Sequence, residues 1–232
     1  MTRTLFPSPA WPTVPVKGED AAYPVHRVFC VGRNYAAHAA EMGVEVGREA
    51  PIYFTKTALT ILPGGQTFPY PPGTENFHYE MELVVAIGSP AFRVSADAAM
   101  DHVYGYAAGF DMTRRDLQLA ARAKQRPWDL GKDVEGSAVI APITKAADFG
   151  AVADQRISLT VDGEVRQDAR LSDLIWTVAE LVADLSKYYH LAPGDLIYTG
   201  TPAGVGAVGP GAVVRGEIDG LDPVELTVGQ PE

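Results

Sequence analysis

The chain has 232 residues, a formal net charge of −10 and 47% hydrophobic residues, which is enough apolar material for one large core. The acidic balance, with no run of Lys and Arg, excludes a nucleic-acid surface, which needs clustered cations. One cysteine rules out an intrachain disulfide framework, and no apolar run reaches membrane-spanning length, so a soluble, cytoplasmic protein is expected.

Residues 1–23 are aperiodic and broken by Pro7, Pro9, Pro12 and Pro15. This predicts an extended amino-terminal arm, lying on the body or on a partner subunit, ahead of a single domain over residues 24–232. A β-like run over 27–31 carries Cys30, read as a buried small hydrophobe rather than a nucleophile, and closes at Gly32. Past Arg33, Asn34 is a candidate N-cap for a short helix that bears His38 and Glu41 and stops at Gly43. At i, i+3 the two side chains share a face. That is the geometry of an imidazole whose tautomer is fixed by a carboxylate, as a water-activating base requires, and equally of a solvated surface pair.

Residues 52–55 read as a strand ending at Lys56, which is either a substrate contact or an exposed strand-end lysine. A Pro- and Gly-rich loop over 63–73 then leads to His78-Tyr79-Glu80-Met81-Glu82 and an apolar run up to Gly88. Side chains alternate along a strand, so Glu80 and Glu82 point the same way. Two carboxylates about 4 Å apart repel by roughly 4 kcal/mol at an effective dielectric near 20. A cation between them turns that penalty into a binding site; an exposed strand face with two solvated acids is the alternative. Oxygen donors without sulfur or imidazole suit Mg²⁺, Mn²⁺ or Ca²⁺ better than zinc.

Ser95 caps a short helix to Met100, and a second strand over 103–110 ends at Asp111. Thr113 and Asp116 have capping-box spacing for a helix over about 114–124. The loop 126–133 carries Lys132 directly after Gly131, and Asp162-Gly163 between two β-like runs marks a hairpin. Ser172 heads a long scaffold helix with Leu174, Val178, Leu181, Val182 and Leu185 as its apolar stripe. After a strand over 195–199 comes Thr199-Gly200-Thr201-Pro202. Gly204, Gly206 and Gly209 have the spacing of a dinucleotide fingerprint, but no helix follows to receive a pyrophosphate, so they read as tight turns.

Four stretches in fixed order carry a family resemblance: Val31-Gly32-Arg33-Asn34-Tyr35 with His38 and Glu41; Phe77-His78-Tyr79-Glu80-Met81-Glu82-Leu83; Asp111-Met112-Thr113 with Arg115-Asp116-Leu117-Gln118; and Thr199-Gly200-Thr201-Pro202. Over residues 23–228 the chain resembles the fumarylacetoacetate hydrolase family, and within it the small bacterial members. The resemblance implies a mixed α+β, β-rich fold of layered mixed β-sheets with few helices, assembled as a homodimer. It implies Mg²⁺ or Mn²⁺ held by Glu80, Glu82 and Asp111, and a water-activating dyad of His38 and Glu41. It places the oxo-acid end of a small-molecule substrate on Arg115, Gln118, Lys132 and Thr201. Arg33 and Lys56 are expected as further substrate contacts, and Lys132 also as a catalytic group that steadies developing negative charge.

Three departures from the family pattern stand out. Thr57 replaces the proline that follows the lysine, Asp133-Val134-Glu135 replaces Ser-Phe-Asp after Lys132, and Val31 and Gly32 stand where longer members carry a further metal-binding aspartate. The implied reaction is hydrolytic cleavage of a carbon–carbon bond in a 2,4-dioxo acid, an acylpyruvate such as fumarylpyruvate, yielding pyruvate and a carboxylic acid. Decarboxylation or tautomerisation of oxaloacetate on the same metal, and non-catalytic oxo-acid binding, are the alternatives. Residues that read the distal end of the substrate are expected in the 44–49 loop and the amino-terminal arm.

Overall fold

The structure, a computed structural model, describes residues 5–7, 10–43 and 48–232. Its central strand is Met81–Ile87, every residue of which is buried. An apolar run without polar alternation has to be covered on both faces. Met81, Leu83, Val85 and Ile87 pack with Phe110, Ile157, Leu159 and Val214 in one core cluster, and Val84 and Ala86 pack with Val28, Cys30, Ile140 and Tyr198 in a second.

The strand lies inside an eight-stranded mixed sheet ordered Ile52–Lys56, Arg27–Gly32, Asp195–Tyr198, Met81–Ile87, Val103–Asp111, Ala138–Ile140, Ile61–Pro63, with Thr144–Lys145 also paired to Val103–Asp111. A five-stranded sheet, Glu164–Arg170, Arg156–Val161, Val213–Ile218, Val224–Val228 and Gln66–Phe68, contributes the opposite wall of the first cluster. The fold is mixed α+β and strand-rich, with few helices. No described helix is long and apolar enough to cross a membrane.

Register between the two middle strands builds the site. Met81 pairs with Phe110 and Glu82 with Gly109, and one step further the Asp111 amide donates to the Glu80 carbonyl at 2.9 Å. Directly opposed residues of an antiparallel pair share a face. Asp111 therefore arrives beside Glu80, while Gly109 opposite Glu82 lets Val84 and the Val139 carbonyl pack close, since a Cβ there would stand 2.6 Å from Val84 Cγ2 and 2.9 Å from that oxygen.

Several local expectations are corrected. The long scaffold helix does not form: Leu171–Asp173 is a 3₁₀ turn, and the α-helix runs only Val178–Leu185, capped by Thr177 in a reciprocal box with Glu180. What interrupts it is Asn34, whose carbonyl accepts from Ile175 N at 2.9 Å and whose side-chain oxygen accepts from Trp176 N at 2.7 Å. Asn34 is thus not the N-cap of the helix Ala36–Glu41; Tyr35 is. Thr113 and Asp116 form no capping box. Thr113 instead pairs with His78 in a small sheet, and Asp116 takes the Thr74 hydroxyl at 2.6 Å and the Glu75 amide at 3.1 Å.

The 63–73 loop contains the edge strand Gln66–Phe68, and the 126–133 loop contains the short helix Asp129–Lys132. From Thr13 onward the amino-terminal stretch lies on its own chain. Thr13–Val14 pairs with Tyr23–Pro24, and Val14 and Val16 enter the second core cluster.

Candidate active site

Glu80, Glu82 and Asp111 are 4%, 1% and 1% exposed, so the reading as solvated acids on a strand face fails. One carboxylate oxygen from each lies within 4.8 Å of the other two. Lys132, on the short helix Asp129–Lys132, reaches into the cluster: its Nζ donates to Glu80 Oε2 at 2.6 Å, Asp111 Oδ2 at 2.7 Å and Thr113 Oγ1 at 2.7 Å. Arg115 donates to the other Glu80 oxygen.

These contacts divide the acids. Burial alone would raise the Glu80 carboxyl, but Lys132 and Arg115 hold it well below the usual carboxylate range. Glu82 accepts one hydrogen bond, from Gly200 N at 2.7 Å, and meets no cation among the described ion pairs. Burial, then the charges of Asp111 and Glu80, push it well above that range. For Lys132, burial favours the neutral amine, yet Asp111 and Glu80 outweigh it and raise its pKa.

The cluster fits a hard divalent cation. Asp111 Oδ1 lies 2.9 Å from Lys56 Nζ, but outside hydrogen-bonding geometry, and is left without a donor. A buried carboxylate oxygen left unpaired is costly. Three convergent carboxylates, one with an unsatisfied oxygen and one pushed toward protonation, form an oxygen-only donor set of the kind Mg²⁺ and Mn²⁺ take.

Across the same cleft stands the predicted dyad. His38 Nδ1 lies 3.0 Å from Glu41 Oε2, and His38 is only 6% exposed. With Nδ1–H directed to the carboxylate, Nε2 carries the free lone pair. Glu41 is itself held by Gly204 N, at 3.1 and 3.3 Å from its two oxygens. Gly204 sits at φ 97, and a Cβ there would stand 2.0 Å from the Arg166 carbonyl oxygen, so only glycine can deliver that amide. No helix follows the first glycines of the Gly-rich turn: Gly206–Ala207 is a strand paired to Phe77–Tyr79. The turn's service to the dyad leaves no local signature in the sequence.

Arg33, His38, Glu80, Glu82, Asp111, Arg115, Gln118, Lys132 and Thr201 line one cleft with an empty volume of about 500 Å³, open solvent included. Arg115 also donates to Gln118 Oε1, so the two present a joined polar edge. Thr201 Oγ1 accepts from Gln167 Nε2 at 2.9 Å, which leaves the Thr201 hydroxyl hydrogen free for the cleft. Gln167, the one fully buried residue of a mostly exposed strand, and Asn34, whose Nδ2 donates to Thr199 O at 2.8 Å, brace this turn and were not found by sequence reasoning.

Lys56 is a correction. Its side chain is 0% exposed and, 2.9 Å from Asp111 Oδ1, stands behind that lining residue and does not itself line the cleft. Its Nζ donates to Ser137 Oγ at 2.6 Å, Met112 O at 3.1 Å and the Lys132 carbonyl, so it braces the cluster from behind instead of meeting substrate. The distal-end readers expected at 44–49 fall largely outside the described residues, since 44–47 are not among them.

The family model "Fumarylacetoacetate (FAA) hydrolase C-terminal" matches residues 27–229. A fumarylpyruvate hydrolase from Ralstonia sp. is 54% identical over 190 residues, which cover 82% of this chain and 98% of that protein. A mitochondrial oxaloacetate tautomerase from Arabidopsis thaliana is 40% identical over 205 residues, 87% of this chain and 90% of that one. Among solved structures, the fumarylpyruvate hydrolase from Pseudomonas aeruginosa in complex with Mn²⁺ and pyruvate matches with a TM-score of 0.95 at 47% identity, covering 98% of this chain and 100% of that chain.

Proposed function

The chain belongs to the fumarylacetoacetate hydrolase family, and from that membership we propose that it is a divalent-metal-dependent hydrolase that splits a carbon–carbon bond in a 2,4-dioxo acid, with fumarylpyruvate as substrate. One observation carries this reading: a buried three-carboxylate cluster and His38, itself bonded to Glu41, face a single cleft.

Glu80, Glu82 and Asp111 would hold the ion, which when bound supplies a Lewis acid for the oxygens of a 2-oxo acid. Arg115, Gln118 and Thr201 receive the carboxylate at that end through N–H and O–H donors. His38 Nε2, with Nδ1 anchored by Glu41, takes a proton from a water aimed at the distal carbonyl carbon. The bond from that carbon to the methylene then breaks, and its electron pair stays with the pyruvate fragment. Lys132 offsets the negative charge that builds there. The proton on His38 passes to the methylene carbon, giving pyruvate's methyl group, while the water oxygen leaves with the acyl group as a carboxylic acid.

Mg²⁺ or Mn²⁺, a homodimer and a cytoplasmic location belong to the same proposal. The oxygen-only donor set supports the ions. Exposed Trp11 and Leu59, 63% and 65% accessible on one broad groove, support a second copy. An arm over 1–23 and one catalytic domain over 24–232 complete it.

The test is product analysis with chelator-treated protein, restored with Mn²⁺ or Mg²⁺ and given fumarylpyruvate or oxaloacetate. Fumarate and pyruvate in equal amounts support the reading. Carbon dioxide from oxaloacetate, or its keto–enol exchange, without acylpyruvate cleavage would transfer it to the oxaloacetate alternative, and oxalate binding with no turnover would leave a binding protein.

A further inference from the structure

Two guanidinium groups, Arg33 and Arg122, flank the cleft, and among the described residues neither is ion-paired to a carboxylate. Arg33 and Arg122 both line it, and both are half-buried where the acid cluster is buried. Neither takes part in an ion pair among the described residues; Arg122 donates one N–H to the Met42 carbonyl, at 3.5 Å. The Arg33 backbone has φ 60, in the left-handed region where a long side chain is strained. After burial, the charge of Arg122 is what most lowers the Arg33 pKa, with Glu49 acting weakly the other way. In a chain of net charge −10, two like charges facing one cavity are stabilised by an anion that enters it.

Spacing says where that anion sits. Arg115, Gln118 and Arg122 fall at i, i+3 and i+7 on the helix Arg115–Ala123, along one face. Arg115 is bonded to Glu80, so it marks the acid-cluster end. Seven residues on, Arg122 lies about 10 Å along the axis at 1.5 Å per residue. A seven-carbon chain with a carboxylate at each end spans about 7 Å when extended, at roughly 1.2 Å per bond. A flexible arginine covers the remainder.

We propose that Arg33 and Arg122 form a subsite for a carboxylate at the distal end of the substrate, so that the chain selects 2-oxo acids whose acyl group ends in a carboxylate. The proposal rests on the reading that the acid cluster holds the 2-oxo end.

Arg33→Gln and Arg122→Gln are assayed as Mn²⁺-loaded protein on fumarylpyruvate and on acetylpyruvate, which ends in a methyl group. The KM for fumarylpyruvate rises about ten- to a hundredfold, the worth of a charge-assisted hydrogen bond, with a smaller change in kcat. The preference for fumarylpyruvate over acetylpyruvate falls by a similar factor, and Arg33→Lys and Arg122→Lys recover part of it. Equal losses on both substrates, or an unchanged preference, overturn the subsite.

Calorimetry supplies a readout without turnover. Wild-type Mn²⁺-loaded protein binds 2-oxoadipate more tightly than 2-oxohexanoate, which differs only at the distal carboxylate, and the Arg33→Gln/Arg122→Gln double variant loses the difference. Equal binding of the two acids by wild type overturns the subsite. A protein that cleaves neither acylpyruvate but keeps this binding difference would sink the hydrolase reading alone.

Discussion

The Thr57 amide and hydroxyl both donate to the same oxygen of Asp133, at 2.8 and 3.0 Å. Each residue stands where the family resemblance leads one to expect another, and the two answer each other. Proline in place of Thr57 would have no N–H to give, and the carboxylate that receives it comes with the other change. The pair ties the residue after Lys56 to the residue after Lys132. Asp133→Ala is expected to lower stability by about 1–2 kcal/mol in urea titrations, and to cut kcat/KM severalfold as Lys132 loosens. Asp133→Asn loses less, and an unchanged midpoint and unchanged kinetics would show that the tie carries no weight.

Removing the acids one at a time separates their electrostatics. Glu82 lacks a cationic partner among the described residues, so Glu82→Ala relieves repulsion and leaves the metal-free protein as stable as before, or more so. Asp111→Ala leaves buried Lys56 and Lys132 short of a counter-charge and destabilises by about 3 kcal/mol. Both variants lose Mn²⁺ binding in calorimetry and metal-dependent turnover, and a chelator stops the wild-type enzyme until the ion is returned. Mn²⁺ binding at wild-type affinity in Glu82→Ala would dissolve the proposed triad.

His38→Ala has a different signature. Metal affinity stays at the wild-type level, while hydrolysis falls by about 10²- to 10⁴-fold, the usual worth of a positioned base. Full hydrolytic activity in this variant would remove the dyad from the mechanism.

Lys56 holds the acid cluster from inside the protein. A buried ammonium that braces Asp111, Met112 and Ser137 is structural, so Lys56→Met lowers stability by about 3–5 kcal/mol in thermal or urea unfolding. A variant as stable as wild type, with only a raised KM, would return Lys56 to the substrate.

Cys30 is 0% exposed, and burial pushes its thiol well above the usual range. A thiol reagent therefore leaves the folded chain unlabelled and reacts as it unfolds; rapid labelling of native protein would contradict the placement of the strand Arg27–Gly32.

What could be read in the sequence was whatever depends on local periodicity. Alternation along one strand put Glu80 and Glu82 on a common face, and helical spacing put His38 beside Glu41, without knowledge of any other part of the chain. The predicted long helix failed for the opposite reason. Its apolar spacing is real, but Ile175 and Trp176 donate their backbone N–H groups to Asn34, 142 positions away from Trp176, which pulls its first turn out of helical geometry. The same limit hid Gly204 and Gln167, which act through partners distant in sequence. It also misplaced Lys56, because a strand-end lysine turns inward or outward according to pairing, and here it is the partner of Val28 in the sheet.

The ammonium of Lys132, seated between Glu80 and Asp111, gives two of the three buried acids a counter-charge that the chain itself supplies. Part of the penalty for gathering carboxylates in the interior is thereby offset within the fold.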